Sequence, residues 1–315
     1  MQIKKVVVLG GSGFVGSSIV AKLDAAGYHI KVLTRRRDSA KHLILLPNVE
    51  VVECNIMQDA ALGHELKGCD AVINLVGILH DNKTFGFERI HHQLPRRVAQ
   101  LCDELGIMRF IQMSALQASV SAPSAYLRSK AAGEAAILAY SKKLDITIFR
   151  PSVIFGRGDG FINLFAQLVK LLPVVMLAKP DAKFQPVWVE DVASCFVSSL
   201  QNTATYSKIY ELGGPQVYSL RQLVQAVADE LGKKRLIIGL NNTLSMMQGF
   251  ALGLMPIKLM TTDNIKSMQV DNVCKQAFPA VFVLVPTALE TVMPEYLNNQ
   301  VPRAAYEKFR GVAGR

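Results

Sequence analysis

Three polar side chains near the middle of the sequence could carry proton-transfer chemistry at a carbonyl group: Ser114, Tyr126 and Lys130. Tyr126 and Lys130 are four residues apart in a segment of helical composition, which brings both side chains to one helix face. An ammonium beside a phenol favours the phenolate, so Tyr126 could pass a proton to or from a substrate oxygen. Ser114 follows an apolar run and could hold the same oxygen by a hydrogen bond. A surface pair on a solvated helix is the alternative interpretation of Tyr126 and Lys130.

A glycine-rich segment near the N-terminus has the spacing of a turn that holds a dinucleotide. Gly11, Gly13 and Gly16 match G-x-G-x-x-G, and Gly10, Gly13 and Gly16 match G-x-x-G-x-x-G. This spacing allows a tight turn and lets the backbone and a helix N-terminus approach a pyrophosphate. A glycine-rich strand-to-helix turn without a ligand is the alternative. We expect one continuous stretch to bind the pyrophosphate: Gly10, Gly11, Ser12, Gly13, Phe14, Val15 and Gly16.

The residues after the second predicted strand decide between NAD(H) and NADP(H). In NAD-binding turns an acidic residue about 20 positions after the glycines binds the ribose 2′-hydroxyl. Here Thr34 is followed by Arg35, Arg36 and Arg37, with no acid before Asp38. Guanidinium groups suit a 2′-phosphate by charge and by bidentate geometry. NADP(H) is therefore the preferred cofactor and NAD(H) the alternative; a solvated basic turn without a ligand is the third option.

Predicted strands and helices alternate along the first half of the chain. The strands cover residues 6–9, 29–34, 49–53, 70–76, 108–113 and 146–150, and the helices cover 14–26, 60–67, 87–105 and 124–142. This alternation predicts an α/β class with a Rossmann-type doubly wound parallel sheet, whose ligands bind beyond the carboxyl ends of the strands. Later helices are expected over 161–172, 192–200 and 219–231, and later strands over 186–189 and 209–212.

The pattern loosens after residue 151, which suggests how the chain is divided. We assign residues 1–230 to the dinucleotide-binding domain, with substrate-lining insertions after residue 151. Residues 231–315 are assigned to a smaller C-terminal substrate or lid region.

Length, charge and cysteine usage exclude several classes of protein. The chain has 315 residues, half of them hydrophobic, and a formal net charge of +10. Its cations are mostly scattered, with no basic stripe interleaved with aromatic residues, so nucleic acid is not an expected partner. The five cysteines are far apart and predict neither disulfides nor a metal site. With no room for a signal peptide before the first strand and no apolar run of roughly 18–20 residues, the protein is expected to be cytoplasmic. A peripheral position at the inner face of the cytoplasmic membrane is the variant of this expectation.

A methionine-rich apolar segment over residues 244–256 has two interpretations. It is too short to span a bilayer, but with the nearby Lys258 it could lie in a membrane interface. It could also form a lid or small subdomain over a substrate cleft, because apolar stretches without a clear polar face usually belong to a core. Both interpretations are open at this point.

Taken in chain order, these motifs resemble the short-chain dehydrogenase/reductase superfamily in its extended or atypical branch. The matching features are the glycine run, residues 74–77, Ser114, the Tyr126/Lys130 pair and residues 150–152, and the resemblance covers about residues 3–230. More narrowly, residues 113–116 and 149–156 make the chain similar to the bacterial relatives of the nucleotide-binding accessory subunit of mitochondrial complex I. That subunit binds NADP(H) tightly and has no established turnover, so the resemblance implies a cofactor without implying a reaction.

The resemblance also implies cofactor contacts from residues at the ends of several strands. Beside Thr34, Arg35, Arg36, Tyr126 and Lys130 they are Asn55, Ile56, Leu75, Val76, Gly77, Met113, Pro151, Ser152 and Val153. Asn55 would lie near the adenine, where the family usually has an acidic residue. Pro151 and Ser152 would lie beside the nicotinamide carboxamide.

Two main hypotheses follow for the function. The first is an oxidoreductase or sugar-epimerase-like enzyme that uses NADP(H), Tyr126, Lys130 and Ser114 on an unknown small-molecule substrate. The second is a non-catalytic NADP(H)-binding protein docked to a respiratory or membrane assembly. The helix before the fifth strand bears on this choice, because it carries His91, His92 and Gln93 where the superfamily often has an asparagine, which puts a full proton relay in question. A redox-sensing regulator with a nucleotide-dependent protein partner is a third, minor hypothesis.

Overall fold

The computed structural model of the chain describes residues 2–81, 86–255 and 260–297. It contains two compact units whose segments alternate along the sequence. The first unit comprises Met1–Pro151, Val189–Leu212 and Cys274–Leu284, and the second comprises Ser152–Trp188, Gly213–Val273 and Val285–Arg315. The assignment of residues 1–230 and 231–315 to two successive domains remains a prediction.

The strands are numbered in chain order over both units. They are β1 (Lys5–Leu9), β2 (His29–Thr34), β3 (Val49–Glu53), β4 (Ala71–Asn74), β5 (Arg109–Met113), β6 (Asp145–Pro151), β7 (Ile154–Phe155), β8 (Val174–Leu177), β9 (Lys183–Phe184), β10 (Val187–Trp188), β11 (Lys208–Leu212), β12 (Tyr218–Ser219) and β13 (Leu236–Gly239).

The α-helices are numbered in the same way. They are α1 (Phe14–Ala25), α2 (Asp59–Leu66), α3 (Leu94–Leu105), α4 (Ala125–Leu138), α5 (Ile162–Leu171), α6 (Val189–Ser199), α7 (Leu220–Glu230), α8 (Asn242–Gly253), α9 (Thr262–Ser267) and α10 (Leu289–Leu297). A π-helical segment covers Glu88–Gln93, and 3₁₀ turns cover Arg37–Leu43, Thr203–Thr205 and Ala280–Phe282.

The first unit is built on one parallel sheet with the strand order β11-β6-β5-β4-β1-β2-β3. β1 lies inside this sheet, with Val6 opposite Ile30 of β2 and Ala71 of β4. The chain runs from β1 outward to β3 on one side and then returns to β4 on the other. The order of the strands therefore reverses between β1 and β4. This arrangement confirms the predicted Rossmann-type doubly wound sheet and puts the ligand crevice at the carboxyl ends of β1 and β4.

The apolar runs of the sequence form these strands because both faces of the sheet are covered. Val8 and Leu9 of β1 and Val72 and Ile73 of β4 are completely buried. Strands buried on both faces read as continuous apolar segments rather than alternating ones. The covered sheet is the rigid element that holds the loops at its carboxyl edge.

The helix predicted over residues 87–105 is not one regular α-helix, which corrects that prediction. Its first part is the π-helical segment Glu88–Gln93, and α3 begins at Leu94. Pro95 explains the change, because it has no N–H to donate to the carbonyl oxygen of His91, four residues earlier. That carbonyl instead packs closely on α4, where a Cβ at Gly133 would lie 1.9 Å from it. The predicted end of the helix is confirmed, since Gly106 is a left-handed C-cap with φ of 71°.

The second unit has its own core, formed by α5, α7, α10 and the parallel pair β8–β13. The predicted start of α7 is confirmed by a capping box in which Ser219 Oγ accepts from Gln222 N and Ser219 N donates to Gln222 Oε1. β8 and β13, each four residues long, were not among the predicted strands. In the parts of the chain that the structure describes, no helix is both long and apolar enough to cross a membrane.

Candidate functional site

The glycine-rich turn joins β1 to α1, and at two of its glycines the backbone is packed too closely for a side chain. A Cβ at Gly16 would lie 2.3 Å from Gly10 O, and one at Gly10 would lie 3.2 Å from the backbone of Val76. Gly10 also has φ of +80°, which favours glycine. Gly13 caps α1 in an extended conformation without a side-chain hydrogen bond, and the first turn carries no acid. The first N–H groups of α1 are thus left for an anion, as a pyrophosphate requires.

The residues after β4 lie against this turn. Leu75 N donates to Leu9 O over 2.9 Å, and Val76 N donates to Asn74 Oδ1 over 3.2 Å. Leu75 and Val76 are half-buried, whereas Gly77 is exposed. The predicted cofactor residues Leu75, Val76 and Gly77 therefore lie next to the glycine run, at the carboxyl ends of β1 and β4.

The arginine run after β2 is exposed and is shaped by Thr34. Thr34 is 6% exposed, and its Oγ1 donates to Arg36 O over 3.0 Å while accepting from Arg36 N over 3.4 Å. The side chains of Arg35, Arg36 and Arg37 are all exposed. Glu53, at the end of β3, accepts a hydrogen bond from Arg37 N over 3.3 Å. This acid beside the turn was not identified in the sequence, because it lies on a neighbouring strand.

Asn55 and Ile56 follow β3, on the same edge of the sheet. Asn55 is exposed, and its Oδ1 accepts a hydrogen bond from Met57 N over 3.1 Å. Ile56 is half-buried against the core of the first unit. The amide of Asn55 is thus partly engaged by its own turn, and its NH₂ group is the part that could reach a ligand.

Ser114 follows Met113 at the carboxyl end of β5. Ser114 N donates to Phe149 O over 2.7 Å, which continues the pairing of β5 with β6. The backbone N–H of Ser114 is thus paired, but within the described part of the chain its side-chain hydroxyl is not. Ser114 is 5% exposed, and its Oγ has no hydrogen-bond partner among the described residues. Buried hydroxyls normally have a partner, so this one is a candidate for binding a ligand oxygen.

Tyr126 and Lys130 lie on one side of α4, near the same strand end. Lys130 Nζ donates to Met113 O over 3.4 Å and lies 6.0 Å from the centre of the Tyr126 ring. Burial lowers the pKa of Lys130 to about 8, with the charge of Glu134 opposing the shift. Glu134 is itself engaged, since it pairs with Arg150. Burial also raises the pKa of Tyr126 to about 12, so its phenol is neutral at pH 7.

His91 supports this cluster in a way that the sequence did not reveal. Its Nε2 accepts from Ile78 N over 3.0 Å, which fixes the proton on Nδ1, and Nδ1 lies 2.9 Å from Ser129 Oγ. Ser129 Oγ in turn donates to Tyr126 O over 2.7 Å. The His91 ring also makes an edge contact with the Tyr126 ring, with the centres 5.4 Å apart. Burial, and then the charge of Lys130, lower the pKa of His91 to about 2, which keeps its imidazole neutral.

Three further residues were predicted to contact the cofactor, and they belong to two different units. Pro151 ends β6 in the first unit, whereas Ser152 and Val153 open the second. Ser152 Oγ donates to Asn272 Oδ1 over 2.5 Å, and Val153 N donates to the same oxygen over 3.1 Å. The structure therefore gives Ser152 a partner inside its own unit, and its predicted contact with a carboxamide remains a prediction.

The chain matches known proteins over most of its length. The NAD dependent epimerase/dehydratase family profile matches residues 6–213. The mouse protein named NADH dehydrogenase [ubiquinone] 1 alpha subcomplex subunit 9, mitochondrial, is 31% identical over 301 residues, covering 92% of this chain and 79% of that protein. The Arabidopsis thaliana protein of the same name is 36% identical over 231 residues, which are 70% of this chain but only 56% of that protein.

An enzyme and a solved structure are also similar. A protein from Caulobacter vibrioides named ceramide reductase is 31% identical over 193 residues, covering 61% of this chain and 60% of that protein. The crystal structure of Pal from Bacillus thuringiensis superposes with a TM-score of 0.75 at 16% identity, covering 93% of this chain and 98% of that one. At that identity the structural similarity concerns the fold alone.

Proposed function

The chain belongs to the NAD dependent epimerase/dehydratase family, and we propose that it binds NADP(H) and reduces the carbonyl group of a small-molecule substrate. One observation carries the proposal, namely the buried hydroxyl of Ser114 at the end of β5, which has no hydrogen-bond partner in the described ranges of the chain. A buried hydroxyl without a partner costs on the order of 1–3 kcal/mol, which a bound substrate oxygen would recover. Met113 directly precedes Ser114, and its carbonyl oxygen accepts a hydrogen bond from Lys130 Nζ. The ring of Tyr126 lies beside the same ammonium group.

The protonation state of Tyr126 is that of a proton donor. When bound, NADPH supplies the hydride. Tyr126 is protonated at pH 7, since a phenol ordinarily titrates near 10 and burial raises the pKa of Tyr126 further, to about 12. It can give this proton to the substrate oxygen as the hydride arrives. Ser114 Oγ donates a hydrogen bond to the same oxygen, and the ammonium of Lys130 stabilises the tyrosinate that remains.

The preference for NADP(H) over NAD(H) rests on the end of β2. Three exposed arginines follow Thr34, and the nearby Glu53 is engaged by the backbone of Arg37. Guanidinium groups bind a 2′-phosphate by charge-assisted hydrogen bonds, whereas a carboxylate there would select the 2′-hydroxyl of NAD(H). Arg35 and Arg36 are the residues that we assign to the 2′-phosphate.

The test is NADPH consumption by the purified full chain with a panel of aldehydes and ketones. The panel includes lipid ketones, because one relative is named a ceramide reductase. For an oxidised substrate, Tyr126→Phe should lower kcat by on the order of 10²–10⁴-fold without changing the affinity for NADPH. Tyr28→Phe is the matched control, because Tyr28 is also half-buried but precedes β2 at the opposite edge of the sheet. Equal turnover by the two variants would refute the assignment of Tyr126.

A second candidate function is structural binding of NADP(H) within a respiratory assembly. It is favoured by the mitochondrial relatives, which are named as subunits of NADH dehydrogenase. This function predicts a retained NADPH that no carbonyl compound oxidises, together with a fold whose melting temperature falls when the nucleotide is removed. The same purified protein therefore separates the two candidates.

A further inference from the structure

The parallel pair β8–β13 of the second unit has one apolar face toward the core and another toward solvent. Val175 and Leu177 are 1% exposed and belong to the core, as alternate residues on a strand should. Met176, which lies between them, points the other way and is 61% exposed. On β13, Ile238 lies opposite Met176, and Leu236 lies opposite Val174. Leu236 is 60% exposed. The outward face of the pair is therefore apolar rather than polar.

Helix α8 continues this exposed apolar surface. Its inner side is fixed, because Ser245 is completely buried and a Cβ at Gly249 would lie 2.3 Å from Ile265 Cδ1. Gln248 Nε2 donates to Met176 O over 3.0 Å, which joins α8 to β8. On the outer side, the spacing of three and four residues lines up Met247, Phe250 and Leu254, which are 62%, 64% and 72% exposed. We call this outward surface of β8, β13 and α8 the apolar face.

The segments that form the apolar face carry only positive charges. Residues 162–180 and 231–255 contain five lysines and arginines and no aspartate or glutamate. Lys170 lies beside the 78% exposed Leu171, and the exposed Lys233 and Lys234 precede Leu236. Arg235 is partly engaged, since its Nε donates to Val169 O over 2.7 Å. Acids lie just outside, at Asp229 and Glu230 on the end of α7.

This combination selects a lipid surface over a protein partner. Lysines are depleted in protein–protein interfaces, whereas amphipathic surfaces at membranes combine apolar side chains with lysine and arginine. Long cationic side chains can reach headgroup phosphates while the apolar side chains enter the headgroup boundary. Exposed phenylalanine, leucine and methionine beside exposed lysines are complementary to a bilayer with anionic headgroups.

We propose that the apolar face docks the second unit peripherally on an anionic lipid bilayer. The proposal is independent of the cofactor, because every residue that carries it lies in the second unit. It gives residues 244–255 of the methionine-rich segment the interfacial role rather than the role of a lid. Pro256, the last residue of that segment, and the nearby Lys258 lie outside the described residues.

The experiment is flotation of the full chain with vesicles of phosphatidylcholine alone or mixed with phosphatidylglycerol. We expect binding to the anionic vesicles that weakens as salt is raised. The variant Lys233→Glu/Lys234→Glu should bind them at least roughly 25-fold more weakly, since each cation near such a surface contributes about fivefold. Phe250→Glu/Leu254→Glu should lose binding as well.

The matched control is Leu45→Glu/Val120→Glu, which changes apolar side chains that are 87% and 79% exposed in the first unit. This variant should bind vesicles like the wild type, and circular dichroism should show all variants folded. Absence of flotation with anionic vesicles, or equal binding by all variants, would overturn the proposal. So would a wild-type dimer that becomes monomeric in Phe250→Glu/Leu254→Glu, because a second copy would then cover the face.

Discussion

Two glycines of the nucleotide turn, three residues apart, should respond to alanine in opposite ways. A Cβ at Gly16 would lie 2.3 Å from Gly10 O and 2.7 Å from Gly11 Cα, so backbone must move. Overpacking of this kind costs about 1–3 kcal/mol, and backbone neighbours put Gly16→Ala at the upper end. At about 2–4 °C per kcal/mol, the melting temperature should fall by on the order of 6–12 °C.

Gly13→Ala should leave the fold intact and remove the ligand. Gly13 is exposed, has φ of −80°, and its added Cβ would meet only Gly10 O at 3.4 Å, which is ordinary contact. Alanine at a compatible position stabilises by about 0.4–1 kcal/mol. The new methyl group would, however, occupy the space in which the backbone approaches a pyrophosphate.

Thermal unfolding with and without NADPH measures both effects. At 100 times its dissociation constant, NADPH should stabilise the wild type by about 2.7 kcal/mol. Gly13→Ala should melt at or slightly above the wild-type temperature and lose most of the NADPH-dependent shift. A Gly13→Ala variant with the full shift, or a Gly16→Ala variant as stable as the wild type, would refute the proposed geometry of the turn.

Three further predictions concern the cofactor, the proton donor and acid stability. Arg35→Ala/Arg36→Ala should raise the Kd for NADPH on the order of 10- to 100-fold, since a hydrogen bond to a charged group contributes about 1.5–3 kcal/mol. Calorimetry should show the Kd for NADH unchanged. Equal losses of affinity for both nucleotides would contradict the assignment. Tyr126→Phe should lower kcat by on the order of 10²–10⁴-fold while bound NADPH keeps its fluorescence, and a variant with the wild-type kcat would contradict its role as proton donor. Burial and then Lys130 lower the pKa of His91 from its ordinary 6.5 to about 2, so between these values the unfolded chain binds one more proton than the native chain and stability falls as pH drops below about 6.5. His91→Gln should show a shallower fall in melting temperature over that range, and a parallel curve would show that His91 titrates normally.

The sheet could be predicted from the sequence because its inner strands are buried on both faces. The runs that became β1 and β4 are mostly apolar, and glycines at both ends of α1 separate β1 from β2, which indicates a βαβ order. The second unit was less predictable. Its strands β7, β9 and β12 are two residues long, too short for a period of two to be recognised. Its core depends on contacts between segments far apart in the sequence, such as Leu236 of β13 opposite Val174 of β8.

The residue types of the candidate site were predictable, but the environment of each was not. The spacing of Tyr126 and Lys130 indicated a shared helix face, and the structure places Lys130 Nζ 6.0 Å from the tyrosine ring. The part played by His91 depends on Ile78 and Ser129, which are 13 and 38 residues away in sequence. The π-helical turn that presents His91 follows from Pro95, and that single residue was the signal in the sequence.

The central claim is that the glycine turn and the arginine run hold NADP(H). The most direct measurement is mass-spectrometric identification of the nucleotide that denaturation releases from the chain purified without added cofactor. We predict NADP(H), with the purified protein stabilised further by NADPH when the site is incompletely filled. Release of NAD(H) alone would contradict the preference for the 2′-phosphate, and absence of any nucleotide together with no thermal shift from NADPH or NADH would contradict the cofactor site itself.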